Sequence, residues 1–360
     1  MPTPLHILEP TLTGLAGHCH SLVRSLVDAA PECDVTVWAG QGAGGIWQAP
    51  GRLIPYFQRR WRRLQGLWLM RRLLRQRGAI LVATAGTADL VTADWAASGR
   101  IAPQRLFLFV HWLGNKPGKA GRLAAIARRQ PQIEILAPTA AVADFFASCG
   151  FKTTRVPYPL AAAADAASLA VAPPPFRHLL VAGGARLDKG FAAIVDLVAE
   201  LQRRGLRWPI AVQVSSEDRH HRDPALQQQI DRLRGLAHAG LTLHDTVMAP
   251  EAYHALYAGA VAIQPYRALD FEHRVSGVTL DALAAGAPVI VSAGTWMAGL
   301  VQRFDAGVAT ADLSAAGLIQ AIEQVLADYP RLAARARQAA ARLRAEHSAR
   351  ALLDVVLQRA

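Results

Sequence analysis

The sequence predicts an α/β protein built as two tandem, doubly wound domains that face each other across a cleft. Three observations lead there. Short apolar runs alternate with helical patterns from end to end, the mark of strand–helix–strand units and parallel sheets. The alternation breaks once, in an Ala-rich stretch from Ala161 to Pro175 whose closing Pro173-Pro174-Pro175 suits neither a ladder nor a helix interior. Between Gln264 and Met297, a polar loop, a helix, a tight turn and a second apolar run follow the end of a strand in direct succession. Ligands of such sheets bind outside the carboxyl ends of the strands.

Taken in order, the first half offers strands at Leu5–Leu8, Asp34–Trp38, Ala79–Ala83, Leu106–Val110, Ile133–Leu136 and Thr153–Val156. Helices are expected at His18–Ala29, Gln58–Gln76, Gly121–Arg129 and Ala140–Ser148, the last with Thr139 as its N-cap. After the break, His178–Val181, Ile210–Val214, Leu241–Leu243, Ala260–Ile263 and Val289–Val291 read as strands. Helices follow at Phe191–Arg203, Pro224–Ala237, Pro250–Tyr257, Gly277–Ala285 and Ser314–Ala327, with one or two more in the Ala/Leu/Arg-rich last thirty residues.

Composition narrows the function classes. The chain has 360 residues, 52% of them apolar, which excludes a disordered chain and makes two domains the default. No apolar run reaches the ~18–20 residues that span a bilayer. The N-terminus has no basic segment of the signal-peptide kind. Three cysteines without metal-ligand spacing (Cys19, Cys33 and Cys149) fit buried thiols in a reduced, cytoplasmic setting.

The net charge of +12 is concentrated. From Val35 to Ala88 there is no carboxylate, while Arg59, Arg60, Arg62, Arg63, Arg71, Arg72, Arg75 and Arg77 crowd one segment. Phe57, Trp61, Leu64 and Trp68 recur at helical spacing among them. Two readings stay open: the Arg59–Arg77 region lies on an anionic membrane surface, at the inner face of the cytoplasmic membrane, or its apolar stripe packs on its own domain with the arginines in water. No signature of a nucleic-acid-binding module accompanies the charge, so no nucleic-acid partner is expected.

Four stretches could carry chemistry. Gly14-Leu15-Ala16-Gly17 after the first strand allows backbone N–H groups to approach a phosphate or sugar. It is not the dinucleotide pattern, and no acidic residue closes a second strand. Gly183-Gly184-Ala185-Arg186-Leu187-Asp188-Lys189-Gly190 follows the first strand of the second half, and Arg186 and Lys189 suit a phosphate. Ser276-Gly277 stands at a helix start, where free N–H groups and the helix dipole favour an anion, with Asp281 about one turn in. His111 comes directly after the strand Leu106–Val110. Asp218–Asp223 has a metal-like mixture of residues that reads as a solvated loop, and no D-x-D is present.

These stretches resemble the two-Rossmann glycosyltransferases of the GT-B type, specifically the large retaining family 4. Arg186 and Lys189 match its G-R-x-x-x-K-G element, with Gly184 inside it, and the resemblance implies that both bind the donor diphosphate. The family's E-x7-E element aligns Asp281 with the glutamate on the nucleotide ribose. It places His273 where the first glutamate would touch the donor sugar, with Glu272 adjacent. Ser276 and Gly277 would give amides to the diphosphate, Arg274 is an extra cation, and Thr295-Trp296-Met297 replaces a small Gly-Gly pair. His111 would contact the donor sugar, and Gly14 and Gly17 the donor.

The resemblance implies domains at 1–160 (acceptor), 177–335 (donor) and a C-terminal segment, 336–360, returning to the first, with 161–176 as linker. The expected activity is sugar transfer from a UDP- or GDP-sugar to a glycan or lipid-linked acceptor. It would retain anomeric configuration, with no metal and no cofactor beyond the donor. The alternatives are a catalytically degenerate sugar-nucleotide-binding or assembly subunit and a nucleotide-sugar epimerase, for which no convincing carboxylate pair is seen.

Overall fold

A computed structural model of the chain describes residues 2–15, 18–112, 118–160, 173–215, 223–246 and 248–357, and the statements below concern these. They form two parallel-sheet, Rossmann-like α/β units. Residues Met1–Ala162 with Glu346–Ala360 form one unit and Ala163–Ala345 the other. Most of the linker expected at 161–176 lies outside the described residues.

The first unit holds β1 (Thr3–Glu9), β2 (Cys33–Gly40), β3 (Arg52–Phe57), β4 (Ala79–Val82), β5 (Leu106–Phe109), β6 (Glu134–Ala137) and β7 (Lys152–Arg155). Their order is β3-β2-β1-β4-β5-β6-β7, all parallel. The chain reverses direction across the sheet between β1 and β4. Right-handed crossovers therefore put the helices Arg62–Leu73, Thr87–Ala96, Lys119–Arg129 and Ala140–Ser148 on one face and His18–Asp28 on the other. The four helices of the first group share one core with β4, β5 and β6 through Leu69, Met70, Leu73, Leu90, Leu123 and Phe146, among others. The helix Ala349–Leu357 packs against His18–Asp28 and β4, so the C-terminal segment returns to the first unit. Arg350 pairs there with Glu32, and His347 meets the Tyr158 carbonyl through Nδ1 at 2.9 Å.

Two strands and three helices, Thr87–Ala96, Ala268–Phe271 and Trp296–Phe304, were not foreseen. β3 carries Pro55 mid-strand, which argues against a strand in sequence, yet β3 is a sheet edge where a missing donor is tolerated. The other strand lies in the second unit. The helix Thr87–Ala96 starts at Gly86, whose N–H is bonded by the Asp89 carboxylate at 2.8 Å. The expected helix Gln58–Gln76 begins only at Arg62, because Phe57 ends β3 and is buried there. Cys19 and Cys149 are buried, whereas Cys33 is half-exposed.

The second unit holds β8 (His178–Val181), β9 (Ile210–Gln213), β10 (Leu241–His244), β11 (Ala260–Gln264), β12 (Val289–Ser292) and β13 (Gly307–Thr310). Their parallel order is β10-β9-β8-β11-β12-β13. The unforeseen β13 opens on Gly307, at φ +153°, where a Cβ would fall 1.9 Å from the Val289 carbonyl oxygen. The long helix Tyr329–Glu346 belongs to this unit up to Ala345: Leu332 and Ala333 sit in its core, and Arg344 donates to the Ala284 carbonyl at 2.8 Å. The return to the first unit thus begins at Glu346, later than the residue 336 expected, because a continuous apolar face keeps the helix on the second core.

Candidate functional site

The second sheet reverses direction between β8 and β11, and the loops leaving the carboxyl ends of these neighbours are where such a sheet binds ligands. The loop after β8 turns on Gly183 and Gly190, at φ +82° and +71°, values that glycine adopts without strain. Gly183 donates its N–H to Gln213 Oε1 at 2.8 Å, and Gly184 follows in the same loop. A Cβ on Gly190 would come within 2.0 Å of the Pro265 carbonyl oxygen. The loops after β8 and β11 are therefore in direct backbone contact, which only glycine permits at that point.

This contact gathers charge. Arg186 and Asp188 form a two-bond pair, with Nε to Oδ1 at 2.8 Å, and Arg274 approaches the same carboxylate at 3.6 Å. Lys189 Nζ lies over the Tyr266 ring at 5.7 Å, and the Arg274 guanidinium lies over Phe271 at 4.8 Å. Tyr266 and Phe271 touch each other, centroids 4.6 Å apart, and form a buried aromatic floor under both cations. Three cations face one carboxylate, so the cluster is net positive. Burial works to raise the Asp188 carboxyl, but its hydrogen bond to Arg186 and the charges of Arg186, Arg274 and Lys189 bring it below its ordinary value. It stays ionised and holds two guanidiniums in place.

The helix Gly277–Ala284 starts beside this cluster. A Cβ on Gly183 would meet Val278 Cγ2 at 2.8 Å and Lys189 Nζ at 3.0 Å, so Lys189 reaches the helix's first turn. Ser276 is the buried N-cap, its Oγ accepting from Thr279 N at 3.3 Å. That leaves the amides of Gly277 and Val278 without an intrahelical acceptor, directed out of the helix end. Cations and amides together suit an anion with several oxygens. Thr279 Oγ1 donates to Gln264 Oε1, and Gln264 Nε2 is buried at the end of β11 with no protein acceptor.

Asp281 lies about one turn along this helix, partly buried. Burial pushes its carboxyl up to about 7, opposed by a hydrogen bond from Tyr253. Tyr253 Oη is 2.6 Å from Tyr257 Oη, and both phenols are pushed up, chiefly by burial. Asp281 is thus held by Tyr253 of the helix Pro250–Ala255, whose hydroxyl is in turn bonded to Tyr257 in the turn after it.

The structure brings together Arg186, Lys189, Arg274, Ser276, Gly277 and the glycine loop. Glu272 and His273 are set differently, with side chains 61% and 54% exposed and 3.6 Å from each other. His111 belongs to the first unit, just past β5, partly buried against Tyr158 at 5.8 Å and Phe109 at 6.0 Å. Gly14 follows β1 in that unit, and Gly17 lies outside the described residues. So does most of the 218–223 cluster, and among the described residues no group of three His, Cys, Asp or Glu could hold a metal ion.

Sequence reasoning missed Asp188 as a clamp, although it stands inside the quoted motif, and it missed Tyr253, Tyr266 and Phe271. The Tyr266–Phe271 spacing was a readable signal; the approach of Tyr253 to Asp281 was not. In the first unit it missed Glu9, a fully buried carboxyl at the end of β1, raised by burial and bonded by Thr11 N at 3.1 Å.

Residues 177–328 match the family of Glycosyl transferases group 1. Comparison with curated proteins gives no match. Solved structures resemble the whole chain. HepE from Anabaena, in complex with UDP and glucose, superposes with a TM-score of 0.72 at 14% identity, covering 99% of each chain. WaaG, a glycosyltransferase involved in lipopolysaccharide biosynthesis, gives 0.69 at 14% identity over 99% of this chain and 100% of that one. Sucrose-phosphate synthase from Thermosynechococcus elongatus gives 0.69 at 18% identity over 99% and 97%. At these identities the likeness is one of fold, the GT-B architecture of two Rossmann-like domains.

Proposed function

We propose that the protein is a glycosyltransferase that moves a hexosyl group from a UDP- or GDP-sugar to a hydroxyl of a glycan or lipid-linked acceptor. The observation that carries this reading is the joining of Arg186, Lys189 and Arg274 to the open amides of Gly277 and Val278 at the reversal point of the second sheet. A diphosphate has the charge and the number of acceptor oxygens for that arrangement. The match of residues 177–328 to Glycosyl transferases group 1, and the UDP held by HepE of the same fold, favour a nucleoside diphosphate over other diphosphates.

In this reading Arg186, Lys189 and the two amides stabilise negative charge growing on the leaving diphosphate as the sugar becomes oxocarbenium-like. The cations supply the charge that a metal ion supplies elsewhere, so transfer proceeds without one. The acceptor hydroxyl attacks on the leaving-group face, its proton passes to the diphosphate, and anomeric configuration is retained. Asp281 takes the ribose hydroxyls, His111 contacts the donor sugar, and Glu272 or His273 takes the place of the family's first glutamate.

Calorimetric titration with UDP and GDP, followed by turnover with the matching sugar donors, tests this. Micromolar binding of one nucleotide and release of it on transfer are expected, with Arg186→Ala and Lys189→Ala each lowering turnover about 100-fold or more in a folded protein. Undiminished turnover in both variants defeats the assignment. Binding with neither transfer nor donor hydrolysis selects the second reading, a sugar-nucleotide-binding subunit, which the exposure of Glu272 and His273 favours.

A further inference from the structure

The first unit carries an exposed surface distinct from the residues gathered around Asp188. The helix Arg62–Leu73 turns Leu69, Met70 and Leu73 into the core, which leaves Trp61, Leu64 and Trp68 outside, 49%, 53% and 70% exposed. Trp95, on the contacting helix Thr87–Ala96, is 69% exposed. Both helices cover the same face of the first sheet, so these side chains stand on the outside of one helix layer. Three exposed tryptophans on two contacting helices call for an explanation that a single apolar residue does not.

The charge around them is one-sided. Arg59, Arg60, Arg62, Arg63, Arg71, Arg72, Arg75 and Arg77 are all exposed. Of the two acids of the neighbouring helix, Asp89 bonds the Gly86 N–H at its own helix start, and Asp94 offsets one cation, Arg129, in a two-bond pair. Trp68 shares an open hollow of about 620 Å³ with Arg71, Arg72 and Arg75, and Trp95 shares one of about 680 Å³ with Arg100, Arg128 and the Arg129–Asp94 pair. Each hollow sets an exposed indole beside guanidiniums in excess of carboxylates. Guanidiniums bind phosphate oxygens in pairs, and indoles settle at the boundary between headgroups and acyl chains.

We propose that this helix layer docks on an anionic lipid surface, with Trp61, Leu64, Trp68 and Trp95 entering the headgroup boundary and the arginines meeting lipid phosphates. A nucleic acid would answer the charge but not the apolar side chains, and a second copy would set the same positive faces against each other. The proposal stands whether or not the second unit transfers sugar.

The full chain is sedimented with phosphatidylcholine vesicles, with and without a third phosphatidylglycerol, at low and high salt. Binding at least tenfold stronger to the anionic vesicles, weakening with salt, is expected. Arg71→Glu with Arg75→Glu should lower it about tenfold or more, and Trp68→Ala with Trp95→Ala several-fold even at low salt. Both double variants should keep wild-type melting behaviour and nucleotide binding, since neither touches the core or the second unit's cluster. Absent or equal binding to the two vesicle types at low salt overturns the proposal. So does a dimer in solution that the tryptophan variant abolishes, which assigns the face to a second copy. Duplex DNA binding as tight as vesicle binding, together with unchanged vesicle binding by the tryptophan variant, also overturns it in favour of a general polyanion site.

Discussion

At the residue scale the site depends on two kinds of position, those where a side chain cannot exist and those where a carboxyl is held against water. Gly183 is the first kind. An alanine there must adopt φ +82° and press on Val278 and Lys189, costing about 1–2 kcal/mol of backbone strain and moving the lysine off the helix end. Gly183→Ala should fold and bind the nucleotide at least tenfold more weakly by calorimetry; unchanged affinity would separate Lys189 from the ligand.

Asp281 is the second kind. Its carboxyl, raised from 3.8 to about 7, loses its proton near neutrality, and in the proposed role on the nucleotide ribose the ionised form would be the better hydrogen-bond acceptor. Nucleotide affinity should therefore rise between pH 6 and 8 in the wild type and stay flat in Asp281→Asn. The sign for stability is opposite. A carboxyl raised on folding favours the folded state fully below the unfolded value of 3.8, and that contribution is lost as pH rises through about 7. Melting temperatures of wild type and Asp281→Asn, compared at pH 5 and 8, should show the wild type losing ground at the higher pH. Tyr253→Phe removes the bond that opposes the rise, so its affinity profile should shift to higher pH.

At the element scale, the helix Arg62–Leu73 shows why periodicity alone could not choose a face. Two apolar sets run along it: Trp61, Leu64 and Trp68, and Leu69, Met70 and Leu73. The sequence reading followed the aromatic set back to Phe57, which in fact closes β3. Packing on β3 and the helix Thr87–Ala96 selects the second set. Leu69→Ala should cost about 2–5 kcal/mol in urea unfolding, and Trp68→Ala about 0.5 kcal/mol or less. The reverse ranking would mean that the helix is turned the other way. The same scale explains the missed edges. β3 and β13 pair on one side only, so a proline or an opening glycine is tolerated and the pattern weakens.

At the scale of the whole molecule, the chain crosses back to its first unit with its last residues. The helix Ala349–Leu357, the Arg350–Glu32 pair and the His347–Tyr158 bond tie the C-terminus to the unit that begins the chain. Ending the protein at Ala345 exposes the apolar side of the helix His18–Asp28. Hydrogen exchange on that variant should accelerate in β1, β4 and His18–Asp28, while the second unit, which buries its own core, keeps its protection and its nucleotide affinity. Uniform acceleration in both units would show that they do not hold separately.

Local chemistry made the alternation of strand and helix, the break before the second half, and the Arg186/Lys189 and Ser276/Gly277 pairs legible in the sequence. Each is a matter of spacing, glycine conformation or N-capping within roughly a dozen residues. The tertiary structure alone decided the rest. It set Asp188 between two arginines, Tyr253 on Asp281, and the aromatic floor beneath Lys189 and Arg274. It also left one tryptophan set outside and turned the other apolar set in. In the second unit the adjacency of β8 and β11 in the sheet, which no local pattern encodes, brings Arg274 to Asp188 and Lys189 to Tyr266; in the first, packing against neighbouring elements chose the face of the helix Arg62–Leu73.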